Sequence, residues 1–144
     1  MISHGGGLTD EQIRRLPGNP LVVPYTPQQA LLAKAKLTIS HAGLNTVLDS
    51  LSQGVPLVTI PLTYEQPAIA ARIRWTGAGQ GVPLRKLSAP VLRQAIQQIL
   101  NSESYYTSAR RIAQDIQTAG GVERAADIIE EVIQTGKPVP ANIT

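Results

Sequence analysis

The run Val55–Pro61, VPLVTIP, carries one polar side chain in seven residues and shows no alternation of polar with apolar. A strand wetted on one face alternates with a period of two. A strand this uniformly apolar is covered on both faces, which is the condition of a strand inside a parallel sheet flanked by helices. The segments around it fit that condition. LTIS (Leu37–Ser40) reads as a strand, and LNTVLDSLSQG places Leu44, Val47, Leu48 and Leu51 on one helical face before Gly54 closes the turn. EQPAIAARIRW (Glu65–Trp75) reads as the next helix, stopped by Gly77 and Gly79, with a brief strand at Gly81–Leu84.

Upstream, PLVVPY (Pro20–Tyr25) is β-rich, PQQALLAKA (Pro27–Ala35) opens with proline as a helix does, and MIS reads as the end of a further strand. Downstream the pattern is helical. Ser88 precedes APVLRQAIQQIL, SESYYTSARRIAQDIQ runs to Gly120-Gly121, and VERAADIIEEVIQ ends at Gly136. Strands and helices alternating with short turns predict an α/β fold, a Rossmann-like parallel sheet flanked by helices. One domain over residues 1–137 and a flexible tail over 138–144 are expected from the Pro138 and Pro140 punctuation.

Composition narrows the function. With no Phe and 3% aromatic residues, the core must be aliphatic, and with no Cys there is neither a disulfide nor a thiolate metal site. The net charge of +3 suits an anionic ligand, yet Arg14-Arg15, Lys34, Lys36, Arg85-Lys86 and Arg110-Arg111 are scattered and not interleaved with aromatics. Nucleic acid is therefore not the expected partner. The opening MISHGGGLTDEQ lacks the pattern of a signal peptide, and no apolar run is long enough to span a bilayer. Trp75, near a helix end, reads as a packing residue, and His4 with Gly5-Gly6-Gly7 as a flexible turn after a strand.

In an open parallel sheet, ligands gather off the carboxyl ends of the strands, where loops enter helix N-termini. SHAGLNT (Ser40–Thr46) is such a loop. Gly43 allows close backbone approach, and the free N–H groups of the following helix suit a phosphate. Asn45 and Asp49 are four residues apart and share one helix face, where a carboxylate can accept from ribose hydroxyls. The next strand delivers Glu65 and Gln66, a carboxylate beside a carboxamide, which together supply acceptors and donors for sugar hydroxyls. Each residue also has an ordinary use. Asn45 or Thr46 caps a helix, Asp49 faces solvent, Glu65 and Gln66 open a helix, and His41 bonds to loop backbone.

The arrangement H-A-G-L-N-T-x-x-D followed by G-V-P-L-x-x-x-P-x-x-x-E-Q, His41 to Gln66, resembles the nucleotide-sugar signature of UDP-dependent glycosyltransferases of the GT-B fold, and bacterial macrolide- and carotenoid-type members above all. The likeness extends to VPYTPQQALL upstream and GGVERAADIIE downstream. It implies that Tyr25 stands where a tryptophan stacks on uracil and Gln28 beside the base. It places His41, Asn45 and Thr46 on the diphosphate, Asp49 on the ribose, and Glu65 with Gln66 on the sugar. Asp49 and Glu65 each exchange the acid usual in the family for its one-methylene neighbour, and Leu44 replaces a tryptophan of plant members.

The resemblance further implies the donor-binding part of a cytoplasmic enzyme, membrane-peripheral in some full-length forms, that moves a hexose from a UDP-sugar to a small-molecule hydroxyl with inversion. UDP-glucose is the default donor, and no metal or other cofactor is expected. It places the catalytic base, and the acceptor, in an amino-terminal domain outside this chain, so no catalytic residue is assigned here. It also implies that the carboxyl-terminal domain's first βα unit, with a mid-sheet strand, is missing, leaving edges open to self-association, rearrangement or a groove. The alternative is a non-catalytic nucleotide-sugar-binding module or a truncated product. A dinucleotide enzyme is disfavoured because no Gly-x-Gly-x-x-Gly follows the first strand.

Overall fold

A computed structural model describes residues 1–140, so the tail expected over 138–144 lies outside the described residues from 141 onward. In chain order the elements are β1 (Ile2–Ser3), α1 (Asp10–Arg14), β2 (Val22–Val23), α2 (Gln28–Leu32), β3 (Thr38–Ser40), α3 (Leu44–Ser52), β4 (Leu57–Thr59), α4 (Gln66–Thr76), β5 (Gly79–Gly81), a 3₁₀ turn (Leu84–Lys86), α5 (Ala89–Leu100), α6 (Glu103–Thr118) and α7 (Gly121–Thr135). The fold is α/β, and every strand pairing is parallel.

The parallel sheet is in two pieces. β1 pairs with β2, Ile2 opposite Val22, while β3, β4 and β5 form a second sheet in that order, with Ile39 opposite Val58 and Val58 opposite Gln80. β4 is central in the second sheet, and all three of its residues are buried, as its unbroken apolar run requires. Successive side chains of β4 point to opposite faces. Leu57 joins Ala42, Val47, Leu51, Ala70, Ile73, Ala78 and Ala109 on one side. Val58 joins Val82, Ala95 and Ile99 on the other. Two helical layers thus clamp one strand, α3, α4 and α6 against the first cluster and α5 against the second.

Several boundaries differ from the sequence reading for identifiable reasons. The strand expected at Gly81–Leu84 is β5 at Gly79–Gly81. Gly79 reads as a helix stop, yet a Cβ there would sit 2.2 Å from the Leu57 carbonyl oxygen and 2.8 Å from Ile73 Cγ2. The glycine is what lets β5 reach β4. Pro83 then has no N–H to prolong the ladder. The strands expected over 20–25 and 55–61 contract to β2 and β4, flanked by prolines in both cases. α1 was not anticipated, although its signal is present. Thr9 accepts from the Gln12 amide, and Gln12 Oε1 accepts from the Thr9 amide at 2.8 Å, a capping box spelled T-x-x-Q.

The buried face of α3 is also rotated from expectation. Val47, Ser50 and Leu51 are buried, whereas Leu44 and Leu48 are 51% and 45% exposed. Ser50 explains the rotation. Its Oγ, fully buried, lies 3.0 Å from the Val55 carbonyl oxygen and 2.8 Å from Thr38 Oγ1. Turning Ser50 inward ties the end of α3 to β3 and to the entry of β4, and satisfies polar atoms that burial would otherwise leave unpaired. Trp75 is not a packing residue. It is 75% exposed, with the Arg72 guanidinium 4.5 Å from its ring centroid.

Candidate functional site

Parallel strands put their carboxyl ends on one rim, and that rim carries the candidate residues. Tyr25 follows β2, His41 follows β3, and Glu65 with Gln66 follows β4. Tyr25, Gln28, His41 and Thr46 line a single cavity of about 810 Å³, together with Ser3, Thr26, Ser40 and residues of β3. Glu65 and Gln66 stand outside that cavity, on the rim of the neighbouring strand.

Three of the residues are wired together. Gln28, on α2, donates from Nε2 to Asp49 Oδ2 at 2.7 Å, and its Oε1 accepts from the Thr46 hydroxyl at 3.5 Å. Thr46 and Asp49 belong to α3, so one carboxamide bridges two helices at the cavity wall. Asp49 accepts through Oδ2, and its second oxygen, Oδ1, retains acceptor capacity. The capping use expected of Asn45 or Thr46 is not taken, whereas Glu65 and Gln66 do open α4. The N-cap of α3 is Gly43, with no side-chain cap bond, so neither Asn45 nor Thr46 caps the helix. The first-turn N–H groups of Leu44, Asn45 and Thr46 therefore have no intrahelical acceptor, and they carry the positive end of the helix dipole.

Gly43 has a steric task. At φ −62° its backbone suits any residue, but a Cβ would fall 2.6 Å from His41 Nε2. The imidazole therefore lies over the glycine at the mouth of α3. Ala42 between them is fully buried at φ +70°, a left-handed conformation that costs a non-glycine residue about 1–3 kcal/mol. Its amide donates to Ser40 Oγ at 3.3 Å, and its methyl is part of the core. The backbone kink that throws His41 outward is thus held by packing behind it.

Gln66 is partly committed. Its Oε1 accepts from the amides of Leu62 at 2.9 Å and Thr63 at 3.1 Å, fixing the loop that leaves β4. Its –NH₂ remains on the rim. Glu65 is exposed at the N-cap position of α4 and makes no cap bond. Tyr25 is 76% exposed, with its hydroxyl 3.3 Å from the Gly5 carbonyl oxygen.

That last bond brings in residues the sequence reading set aside. The turn after β1 is hydrogen-bonded. Gly5 and Gly6 take positive φ, Leu8 N–H donates to His4 Nδ1 at 3.0 Å, and Gly5 N–H donates to the Pro24 carbonyl at 2.8 Å. The signal was the glycine run after a strand, and only its contact with Tyr25 places it beside the cavity. Among the described residues no three His, Cys, Asp or Glu side chains come together as a metal cluster would, and no helix is long and apolar enough to cross a membrane.

Comparison with known proteins gives the geometry a family. The chain is 37% identical over 141 residues to a zeaxanthin glucosyltransferase of Pantoea ananas, covering 96% of this chain and 32% of that protein. It is 34% identical over 130 residues to the NDP-glycosyltransferase YjiC of Bacillus subtilis (strain 168), covering 90% and 33%. Among solved structures it superposes on the calicheamicin glycosyltransferase CalG4 with a TM-score of 0.81 at 29% identity, over 93% of this chain and 35% of that one. The chain thus spans about a third of the length of these relatives. Its fold is that of GT-B glycosyltransferases. The model of the family described as "UDP-glucoronosyl and UDP-glucosyl transferase" matches residues 7–122, and the chain belongs to that family.

Proposed function

We propose that this chain is the donor-binding part of a cytoplasmic bacterial glycosyltransferase that moves a hexose from a UDP-sugar to a small-molecule hydroxyl with inversion. The observation that carries the reading is the Gln28–Thr46–Asp49 network beside His41 at the uncapped N-terminus of α3. A diphosphate is an anion with many acceptor oxygens. The amides at the N-terminus of α3, the helix dipole and the neighbouring His41 imidazole are the donors suited to it. Asp49 Oδ1 accepts from ribose hydroxyls while Gln28 holds the carboxylate in place. Tyr25 offers a ring face to the base.

Glu65 and the free –NH₂ of Gln66 suit the hydroxyls of the sugar, one accepting and the other donating. In transfer, negative charge grows on the departing UDP as the acceptor oxygen bonds to the anomeric carbon. Donors already aimed at the diphosphate stabilise that charge without reorganising. The role of this chain is therefore leaving-group stabilisation. The base that takes the acceptor's proton belongs to another part of the enzyme, and the donor is held without a metal ion.

Isothermal calorimetry of the chain against UDP, dTDP, UDP-glucose and UDP-N-acetylglucosamine tests the reading. UDP binding that is absent at millimolar ligand ends it. Binding of UDP with no gain from any sugar removes Glu65 and Gln66 from the site and leaves the diphosphate assignment standing.

A further inference from the structure

Residues 3–5 and 23–25 are clasped together beyond the short ladder of β1 and β2. The amide of His4 donates to the Val23 carbonyl at 3.1 Å and that of Gly5 to the Pro24 carbonyl at 2.8 Å. The Pro24 carbonyl also accepts from Ser3 Oγ at 3.4 Å. The Tyr25 hydroxyl then donates back to the Gly5 carbonyl at 3.3 Å. The turn that presents this carbonyl is closed on itself. Gly7 N–H donates to the His4 carbonyl at 2.9 Å, and Leu8 N–H donates to His4 Nδ1 at 3.0 Å. A Cβ on Gly5 or Gly6 would meet nothing within 4 Å, so glycine serves there for φ of +58° and +83° and not for space.

The bond from Tyr25 leaves its ring in the open. The residue is largely exposed and lines the cavity shared with Gln28, His41 and Thr46. An exposed aromatic ring turns about its side-chain torsions, and a ligand that stacks on it must stop that motion. Immobilising a side chain costs affinity, and a ring already held is spared the cost. Here the hydroxyl anchors the tip of the ring, which leaves its faces to a planar partner. Pro24, with φ set by its own ring, steadies the backbone just before it.

We propose that the turn from His4 to Leu8 is a positioning element for Tyr25, its Gly5 carbonyl holding the ring ready for the planar base of a nucleotide. This deepens the donor-site reading above and rests on it. His4 is the positioning residue. It is not part of the cavity wall, and it acts through the turn, where its Nδ1 takes the Leu8 amide and so shapes the segment that carries the Gly5 carbonyl. A ligand that bears a base gains from the tethered ring. A bare diphosphate, held by the α3 N-terminus and His41, does not.

The test is calorimetry with UDP and with inorganic diphosphate on the parent, Tyr25→Phe, His4→Ala and His4→Asn. Tyr25→Phe keeps the ring and loses the tether. It is expected to bind UDP roughly two- to tenfold more weakly, the cost of stilling one free side chain, with diphosphate affinity unchanged. His4→Ala leaves the Leu8 amide without its acceptor and lowers UDP affinity in the same sense. His4→Asn restores it, because Asn Oδ1 accepts in the place of Nδ1. Added to Tyr25→Phe, His4→Ala has no further effect on UDP. Equal UDP affinity in Tyr25→Phe and the parent overturns the proposal. So does an equal loss for UDP and diphosphate, or a His4→Ala loss that adds in full to that of Tyr25→Phe. Nuclear Overhauser contacts between the Tyr25 ring and Gly5 in the ligand-free parent check the tether by itself, and their absence overturns it. A parent that shows those contacts and binds no UDP strikes the donor reading, and the ring's role toward a base falls with it.

Discussion

Gln28 donates to Asp49 across 2.7 Å, and through that bond the short helix α2 is tied to α3 at the wall of the candidate site. A five-residue helix has little stability of its own. Its position is set by what it touches, so this bond bears on both fold and ligand. A double-mutant cycle of Gln28→Ala and Asp49→Ala, followed by urea unfolding, should give a coupling of about 0.5–1.5 kcal/mol. A coupling near zero would show that the bond does not join the two helices energetically.

Gly43→Ala separates site geometry from folding. The backbone at φ −62° accepts alanine, but the new Cβ would stand 2.6 Å from His41 Nε2 and push the imidazole away. Urea stability should change by less than about 1 kcal/mol, in keeping with an extended backbone that alanine adopts without strain. UDP affinity should fall roughly tenfold, the loss of one charge-assisted hydrogen bond. Unaltered UDP binding would mean that the ring's seat over Gly43 is irrelevant to the ligand.

His41→Ala removes that donor outright and should weaken UDP binding by roughly 1–3 kcal/mol. The side chain is exposed and has no part in the core, so the melting temperature should hold. Calorimetry returning the parent's affinity would take His41 out of the site.

Ser50→Ala acts in the opposite sense. It strips the Val55 carbonyl and the Thr38 hydroxyl of their buried partner and should cost about 1–3 kcal/mol in urea unfolding. Ser50 lies outside the cavity wall, so UDP affinity per folded molecule should be retained. A stability loss below a few tenths of a kcal/mol would show that water replaces the hydroxyl.

Chelation distinguishes donors of protein origin from a metal. UDP affinity measured in EDTA should equal that in magnesium- or manganese-containing buffer. A fall on chelation, restored by added cation, would assign the diphosphate charge to a metal.

The sequence by itself determined that VPLVTIP must be sandwiched, because no polar side chain in it other than Thr59 could face water. It determined the strand–helix alternation, and the chain order of the candidates His41, Asp49 and the Glu65-Gln66 pair. These are local properties, a period of two against 3.6 and the punctuation by glycine and proline. The tertiary structure decided what depends on contact at a distance. Gly79 is a ladder residue and not a helix stop because the Leu57 carbonyl approaches it. Ser50 outranks Leu48 for the buried face of α3 because Val55 and Thr38 need its hydroxyl. Gln28, twenty-one residues before Asp49, becomes its partner only when α2 and α3 pack side by side. The division of the parallel sheet into two parts, with a cavity between their free edges, likewise has no local signal, since a strand's composition does not name its neighbour.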